Sequence, residues 1–207
     1  MSATIIDGKK TSLDIKSELA DEVAQLKKVG ITPKLVVVLV GEDPASEIYV
    51  KNKEKACDLV GIDSVKHLLP ASTSQKELLD LVNKLNNDDS VNGILVQLPL
   101  PKQIDENAII FAIDPEKDVD GFHPINVGAL MIGNAQFSSC TPSGCIELLK
   151  RYNIKIEGSK AVVVGRSNIV GKPVAMMLLH ENATVELCHS RTRDLAAETR
   201  QADILIA

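Results

Sequence analysis

Apolar runs alternate with stretches of helical period along the whole chain, and this alternation restricts the fold more than any other feature. The candidate strands are "KLVVVLVG" (34–41), "DSVKHLL" (63–69), "VNGILVQLPLP" (91–101), "KAVVVG" (160–165) and "ATVELC" (183–188). Near-continuous Val, Ile and Leu is typical of parallel strands that are buried on both faces and separated by helices. We therefore predict an α/β protein with parallel sheets covered by helices, one of which is opened by a capping box of Ser74 and Glu77.

Composition limits the classes of function. A net charge of −5 and an aromatic content of 2% argue against nucleic acid as a partner. No apolar run approaches the ~20 residues of a membrane span, and "MSATIIDGKK" lacks the layout of a signal peptide, so we expect a cytoplasmic protein with no membrane partner. The four cysteines show no metal-binding spacing and are expected to be reduced thiols.

The stretch "EIYVKNKEKACDLVG" (47–61) predicts an amphipathic helix with one misplaced charge. At about 100° per residue, Ile48, Tyr49, Cys57 and Leu59 fall in one apolar arc, and Lys53 projects into that arc. A buried ammonium is costly unless it is paired or loses its proton. Lys53 is either a snorkelling lysine that covers the edge of the core or a functional group in a cleft.

A second misplaced polar residue, Gln97, interrupts the apolar strand "GILVQLPLP" just before Pro99 and Pro101. Ligands of open α/β sheets bind at the carboxyl ends of strands. Gln97 either bonds loop backbone only, or approaches Lys53 if its strand neighbours "KLVVVLVG". In the second case its amide oxygen would accept a hydrogen bond from the lysine and orient it.

The acidic stretch "EKDVDGFHP" (116–124) resembles the first half of a calcium loop. Its twelfth position is Val127, where a bidentate carboxylate is required, so we expect no metal. The segment is either a solvated Asp-Gly turn or the source of one aspartate for an amino-bearing ligand ring.

The segment "VVVGRSNIVGKPVA" reads as a strand, a glycine-containing turn and a helix opened by Pro173. Such a turn offers backbone N–H groups and a helix N-terminus to a pyrophosphate. It departs from G-x-G-x-x-G, because Ser167 replaces the second glycine and Gly171 comes one residue late. After the next strand, "HSRTR" places Ser190, Arg191 and Arg193 where an NAD-binding chain carries an acidic residue, which favours NADP unless the arginines are merely solvated.

Several motifs together resemble one family. "YVKNK", "GILVQLPLP", "DVDGFHP", "TPSG" and "VVVGRSNIVGKP" occur in the order and at the spacing of the bifunctional methylenetetrahydrofolate dehydrogenase/cyclohydrolase (FolD) family, and the resemblance runs from "IIDGK" to "ADILIA". It implies two three-layer α/β domains: a folate-binding catalytic domain over 1–145 and a Rossmann-like NADP-binding domain over 146–207. It further implies NADP-dependent oxidation of 5,10-methylenetetrahydrofolate, hydrolysis of the methenyl product to 10-formyltetrahydrofolate, and a homodimer built through the nucleotide domain.

The resemblance also implies roles for individual residues. Lys53 matches the catalytic lysine, Tyr49 the tyrosine that stacks on the folate, Gln97 the glutamine that tunes the lysine, and Asp120 the aspartate that holds the pterin. The phosphate-loop positions are matched by Gly165, Arg166 and Ser167, with Gly171 following, and the 2′-phosphate contacts by Ser190 and Arg191.

The family's nucleotide domain continues beyond the point that matches Ala207. We therefore expect a fragment that ends after the third strand of this domain, or a partner chain that supplies the remainder. One alternative is a catalytically silent folate- or nucleotide-binding module. Another takes "YVKNK" as the Y-x-x-x-K of short-chain dehydrogenases, which is disfavoured because Gly165 follows Tyr49 instead of preceding it.

Overall fold

The computed structural model describes residues 3–207, which divide into two compact units. One unit is Lys9–Val119, and the other combines residues 3–8 with Asp120–Ala207. The helices are α1 (Gly8–Lys28), α2 (Pro44–Val60), α3 (Gln75–Asn86), α4 (Glu106–Ile110), α5 (Pro124–Met131), α6 (Cys140–Arg151), α7 (Gly171–His180) and α8 (Leu195–Arg200). The strands are β1 (Lys34–Val40), β2 (Asp63–Leu69), β3 (Gly93–Val96), β4 (Lys160–Val164), β5 (Thr184–Cys188) and β6 (Ile204–Ile206).

The sheet of the first unit is parallel and has the strand order β2-β1-β3. Alternate residues of the central strand β1 face opposite sides, as the pleat requires. Val36, Val38 and Val40 pack with α3 and α4, whereas Val37 and Leu39 pack with Val50 of α2. Helices therefore cover both faces of this sheet, as predicted.

Two helix starts in this unit are fixed by side chains. Asp43 caps α2 by accepting a hydrogen bond from the Ser46 N–H at 2.8 Å, and Pro44 opens the helix. At α3, Ser74 and Glu77 form the reciprocal capping box that the sequence predicts. These caps fix the point at which the chain turns from strand to helix beside the carboxyl edge of the sheet.

The sheet of the second unit is also parallel, with the order β5-β4-β6. Ala161 and Val163 of β4 pack against α6 and α7 through Ile146, Leu149 and Leu178. The opposite face of β4 carries the fully buried Val162. The predicted strands over 160–165 and 183–188 are therefore confirmed, as is the helix between them.

One prediction differs from the structure in detail. The apolar arc of α2 is wrong in part, because Ile48, Tyr49 and Leu59 are each about 60% exposed, and the buried positions are Ser46, Val50, Cys57 and Val60. The compact units divide at Val119 and Asp120, earlier than the predicted domain boundary after residue 145, so α5 and α6 belong with the second sheet. The domain limits themselves stay a prediction. Among residues 3–207, no helix is long and apolar enough to cross a membrane.

Candidate active site

The two misplaced polar residues of the first unit meet. Lys53 Nζ donates a hydrogen bond of 3.0 Å to Gln97 Oε1, although the two residues are 44 positions apart. The contact forms because β3 pairs with β1, which leads into the helix that carries Lys53. The predicted approach of Gln97 to Lys53 is confirmed.

The amide of Gln97 is held from its other side as well. Its Nε2 donates to the Leu98 carbonyl at 2.7 Å, and its backbone N–H donates to the Val38 carbonyl at 2.9 Å. Both alternatives for Gln97 are therefore realised, since it bonds loop backbone and contacts the lysine. Because Nε2 is engaged with a carbonyl, Oε1 is the atom directed at Lys53, and the amide acts as an acceptor there.

Tyr49 lies one helical turn before Lys53, so the two side chains share a face of α2. Its ring is 62% exposed, whereas Lys53 is partly buried. An exposed ring beside a partly buried amine can stack on a flat ligand without first breaking core contacts. The predicted contact of Tyr49 with folate stays a prediction.

The acidic segment divides into a structural part and an accessible part. Asp118 is 2% exposed and forms a single parallel bridge with Ile94 of β3, and Lys117 donates to three carbonyls near the end of α3. Asp120 is partly exposed and is the first residue of the second compact unit after the division at Val119. Of the two aspartates, Asp120 is therefore the more exposed one, and its predicted role stays a prediction.

The turn after β4 requires glycine at two places. Gly165 has φ +130°, which few side chains tolerate. A Cβ on Gly171 would lie 2.1 Å from the Gly165 carbonyl oxygen, so no larger residue fits there without movement of the backbone. The glycine that comes one residue late thus lets the start of α7 pack against the strand end, as the third glycine of the dinucleotide motif does.

Ser167 occupies the position of the missing second glycine and caps α7. Its Oγ accepts from the N–H groups of Val170 and Gly171 at 3.1 and 3.2 Å. Within residues 3–207, the N–H groups of Arg166 and Ser167 have no protein acceptor. An anion at this turn would therefore meet loop N–H groups before those of the helix itself.

Ser190 and Arg191 lie on an exposed turn directly after β5. The turn is closed by hydrogen bonds between His189 and Thr192, and the Arg191 N–H donates to His189 Nδ1 at 3.1 Å. Because strands β4 and β5 are adjacent and parallel, this turn and the Gly165 turn follow the same edge of the sheet. These hydrogen bonds fix the backbone of the turn, and the side chains of Ser190 and Arg191 are exposed to solvent. This arrangement is compatible with anion binding.

Comparison with known proteins agrees with these observations. The model of the tetrahydrofolate dehydrogenase/cyclohydrolase catalytic domain matches residues 6–120, and that of the family's NAD(P)-binding domain matches residues 139–207. The chain belongs to the tetrahydrofolate dehydrogenase/cyclohydrolase family. The bifunctional protein FolD of Moorella thermoacetica is 63% identical over all 207 residues, which span 74% of its length, and that of Koribacter versatilis is 58% identical, with 67% of its length spanned.

Solved structures of this family superimpose closely on the chain. The bifunctional FolD enzyme of Campylobacter jejuni has a TM-score of 0.97 at 52% identity, and all of this chain matches 74% of that one. The FolD of Trypanosoma brucei, solved with NADP cofactor and inhibitor, has a TM-score of 0.94 at 39% identity, with 100% of this chain and 72% of that one covered.

Two of the four cysteines, Cys57 and Cys188, are buried. Burial raises the pKa of the Cys57 thiol, one turn after Lys53, and burial likewise raises the pKa of Cys188 at the end of β5. Both thiols therefore stay protonated near neutral pH and are poor nucleophiles. No disulfide joins cysteines within residues 3–207, and in the same range no group of three or more His, Cys, Asp or Glu side chains is arranged to hold a metal ion.

Sequence reasoning missed two residues that shape the first unit. Glu54, beside Lys53, forms an ion pair of 2.8 Å with Lys66 of β2, which ties α2 to the sheet. Glu106 accepts a hydrogen bond from the Leu100 N–H at 3.0 Å, in the loop after Gln97. The second contact has a sequence signal, because two prolines flank Leu100 and leave it the only backbone donor of Pro99–Pro101.

Proposed function

We propose that the chain catalyses the NADP-dependent oxidation of 5,10-methylenetetrahydrofolate and the hydrolysis of 5,10-methenyltetrahydrofolate to 10-formyltetrahydrofolate, two steps of one-carbon metabolism. Membership of the family supports this proposal. The observation that carries it is the 3.0 Å hydrogen bond between Lys53 and Gln97, because it joins the two polar residues that the apolar pattern cannot explain.

In the hydrolysis, Lys53 acts as the general base. Methenyltetrahydrofolate carries an electrophilic amidinium carbon. Water attacks this carbon, a C–O bond forms, and one proton of the water passes to Lys53 Nζ. The hydroxyl of the adduct then loses its proton to form the formyl C=O as one C–N bond breaks, the leaving nitrogen takes up one of the two water protons, and the other is released to solvent.

Gln97 orients the amine for this step. Its Oε1 accepts one N–H of Lys53, which leaves the remaining positions on Nζ for a water molecule. A neutral amide brings no charge of its own, so it holds the lysine in place through the hydrogen bond alone. Tyr49 stacks on the folate and Asp120 holds the amino-bearing pterin ring in the same proposal.

The second unit fits a dinucleotide. The Gly165 turn would hold the pyrophosphate, because the N–H groups of Arg166 and Ser167 have no acceptor in the described part of the chain and Gly171 packs closely. Ser190 and Arg191 would hold the 2′-phosphate and thereby select NADP. When bound, the nucleotide supplies the acceptor for the hydride that leaves the methylene carbon.

A homodimer built through the nucleotide domain and a cytoplasmic location complete the proposal. Strand β5 is an edge strand, and its Leu187 is 37% exposed, which supports an interface on this side of the sheet. Sedimentation of the purified protein at several concentrations tests the dimer. A monomer at all concentrations would contradict it.

One experiment tests both activities. Hydrolysis is followed by the loss of methenyltetrahydrofolate absorbance without nucleotide, and oxidation by the appearance of NADPH with methylenetetrahydrofolate. We expect both rates to exceed the uncatalysed rates. Folded protein that binds a folate analogue but shows neither activity would instead support the silent binding module.

A further inference from the structure

The segment Pro99–Pro101, two residues beyond Gln97, can be anchored through only one backbone N–H group. Both prolines lack this group, so Leu100 carries the single donor. Its acceptor is Glu106 Oε1, at 3.0 Å. This carboxylate fixes the far end of the loop together with the Pro101 carbonyl, which accepts from the Ile104 N–H at 2.9 Å.

Glu106 is itself held in place. It is the first residue of α4, whose N-cap Asp105 accepts from the Asn107 N–H at 2.9 Å. The N–H of Asp105 donates to Gln75 Oε1 of α3 at 2.9 Å, and the neighbouring Ile104 is buried. The start of α4 is thus tied to α3 and to the core, and Glu106 presents its carboxylate from a fixed backbone.

The loop in turn holds the amide of Gln97. The Leu98 carbonyl accepts from Gln97 Nε2 at 2.7 Å, and this contact directs Oε1 at Lys53. The near end of the loop is anchored where the Gln97 N–H donates to Val38. Without Glu106 the Leu100 N–H loses this acceptor, so residues 98–100 are held less firmly, and a shift of the Leu98 carbonyl moves the Gln97 amide that donates to it.

We propose that Glu106 is a positioning residue for the Lys53–Gln97 pair, which it orients through the loop of residues 98–100. The inference rests on the proposed function, because the pair matters most if Lys53 is the base of the hydrolysis. Glu106 touches neither Lys53 nor the substrate in this proposal. A misplacement of about 1 Å at a reacting group can lower a rate by about 10²-fold, so a positioning contact of this kind is measurable.

The test uses four single variants, of which Gln97→Ala supplies the second background, and one double variant. Glu106→Ala removes the acceptor, and Glu106→Gln keeps an oxygen that can accept from Leu100. Glu22→Ala, on an exposed face of α1, is the matched control for loss of a glutamate. The double variant combines Glu106→Ala with Gln97→Ala. For each we measure kcat and KM of methenyltetrahydrofolate hydrolysis and the thermal midpoint.

We expect Glu106→Ala to lower kcat by about tenfold with little change in KM, and Glu106→Gln to restore most of the rate. In the Gln97→Ala background the Glu106→Ala change should have little further effect, because residues that act through one another are not additive. A normal kcat in Glu106→Ala would overturn the inference. So would an equal loss of kcat in both backgrounds, since that result indicates a general structural effect.

An NMR measurement separates this inference from the proposed function. The side-chain amide resonance of Gln97, identified by its loss in Gln97→Ala, should shift in Glu106→Ala and in Glu106→Asp but not in Glu22→Ala. If the Gln97 resonance does not shift in a folded Glu106→Ala or Glu106→Asp variant, the positioning role is overturned, whether or not the protein hydrolyses methenyltetrahydrofolate. If the resonance shifts in these variants but the wild type shows no hydrolysis, the positioning contact is supported and the proposed hydrolysis is refuted.

Discussion

The two sheets of the molecule share one plan but use it differently. In each, the first strand in the chain lies at the centre, the next strand pairs on one side and the third on the other, giving β2-β1-β3 and β5-β4-β6. In the first sheet, the polar group at the end of β3 is the side chain of Gln97, bonded to Lys53. In the second, the central strand β4 leads into a glycine turn in which the N–H groups of Arg166 and Ser167 have no acceptor among residues 3–207.

The difference teaches what each edge can recognise. A lysine–amide pair provides a base at one point, and its effect depends on two side chains that meet at 3.0 Å. A backbone turn provides several donors to an anion, and its effect depends on which side chains are absent. Substitutions that remove side-chain atoms should therefore impair the Lys53–Gln97 pair of the first sheet. Substitutions that add atoms should impair the glycine turn of the second sheet.

The largest effect is expected from Lys53→Met, which removes the amine and keeps most of the apolar stem. Removal of a general base costs about 10² to 10⁴-fold, so hydrolysis of methenyltetrahydrofolate should fall by this factor while the thermal midpoint changes little. Lys55→Met, at an exposed position of the same helix, is the matched control. If both variants keep the wild-type rate, Lys53 is a snorkelling lysine that covers the edge of the core, and the first sheet carries no catalytic base.

Gly171→Ala tests the second edge by adding one methyl group. The new Cβ would lie 2.1 Å from the Gly165 carbonyl oxygen, so the turn or the start of α7 must move. Overpacking of this kind costs about 1–3 kcal/mol, and we expect a lower thermal midpoint together with weaker NADP binding by calorimetry.

Gly144→Ala is the control for this change. No atom lies within 4 Å of the corresponding Cβ on α6, and alanine is favoured over glycine in a helix interior by about 1 kcal/mol. The control should therefore raise the thermal midpoint. Equal binding of NADP by both glycine variants would show that the close packing at Gly171 is unimportant for the nucleotide.

Much of this fold can be predicted from the sequence because its signals are local. The strand "KLVVVLVG" and the capping box of Ser74 and Glu77 each need only a few neighbouring residues, and both are confirmed. The pairing of Lys53 with Gln97 was predictable only as a conditional statement, since it depends on which strand lies beside β1. The exposure of Tyr49 was not predictable from helical period, because period gives the face of a helix but not what covers that face.

A smaller effect is expected from Arg191→Ala on the exposed turn after β5. A hydrogen bond to a charged group is worth about 1.5–3 kcal/mol, so the KM for NADP should rise by about tenfold or more. The KM for NAD should stay constant, because NAD lacks the 2′-phosphate. Arg200→Ala, exposed on α8, serves as the control. A parallel rise for both cofactors in Arg191→Ala would show that the arginine supports the turn instead of reading the phosphate.

The smallest effect concerns the side chains that accept hydrogen bonds from the first N–H groups of α2 and α7. Asp43 caps α2 with a carboxylate, whereas α7 is capped by the hydroxyl of Ser167. The hydrogen bonds that Asp43 accepts from Ser46 lower the pKa of its carboxyl below the ordinary value of 3.8. The cap therefore stabilises the folded state fully above that ordinary value, and its contribution is lost as the pH falls through the lowered folded pKa.

Asp43→Asn isolates this term, because asparagine also caps helices but carries no charge that titrates. At pH 7 the variant should be slightly less stable than the wild type, since it lacks a negative charge at the N-terminus of α2. On acidification below about pH 4 the two thermal midpoints should converge, because the other carboxylates titrate alike in both proteins. A difference in thermal midpoint that is constant from about pH 7 to about pH 3 would mean that the charge of Asp43 contributes nothing. The start of α2 would then depend, like that of α7, on hydrogen-bond geometry alone.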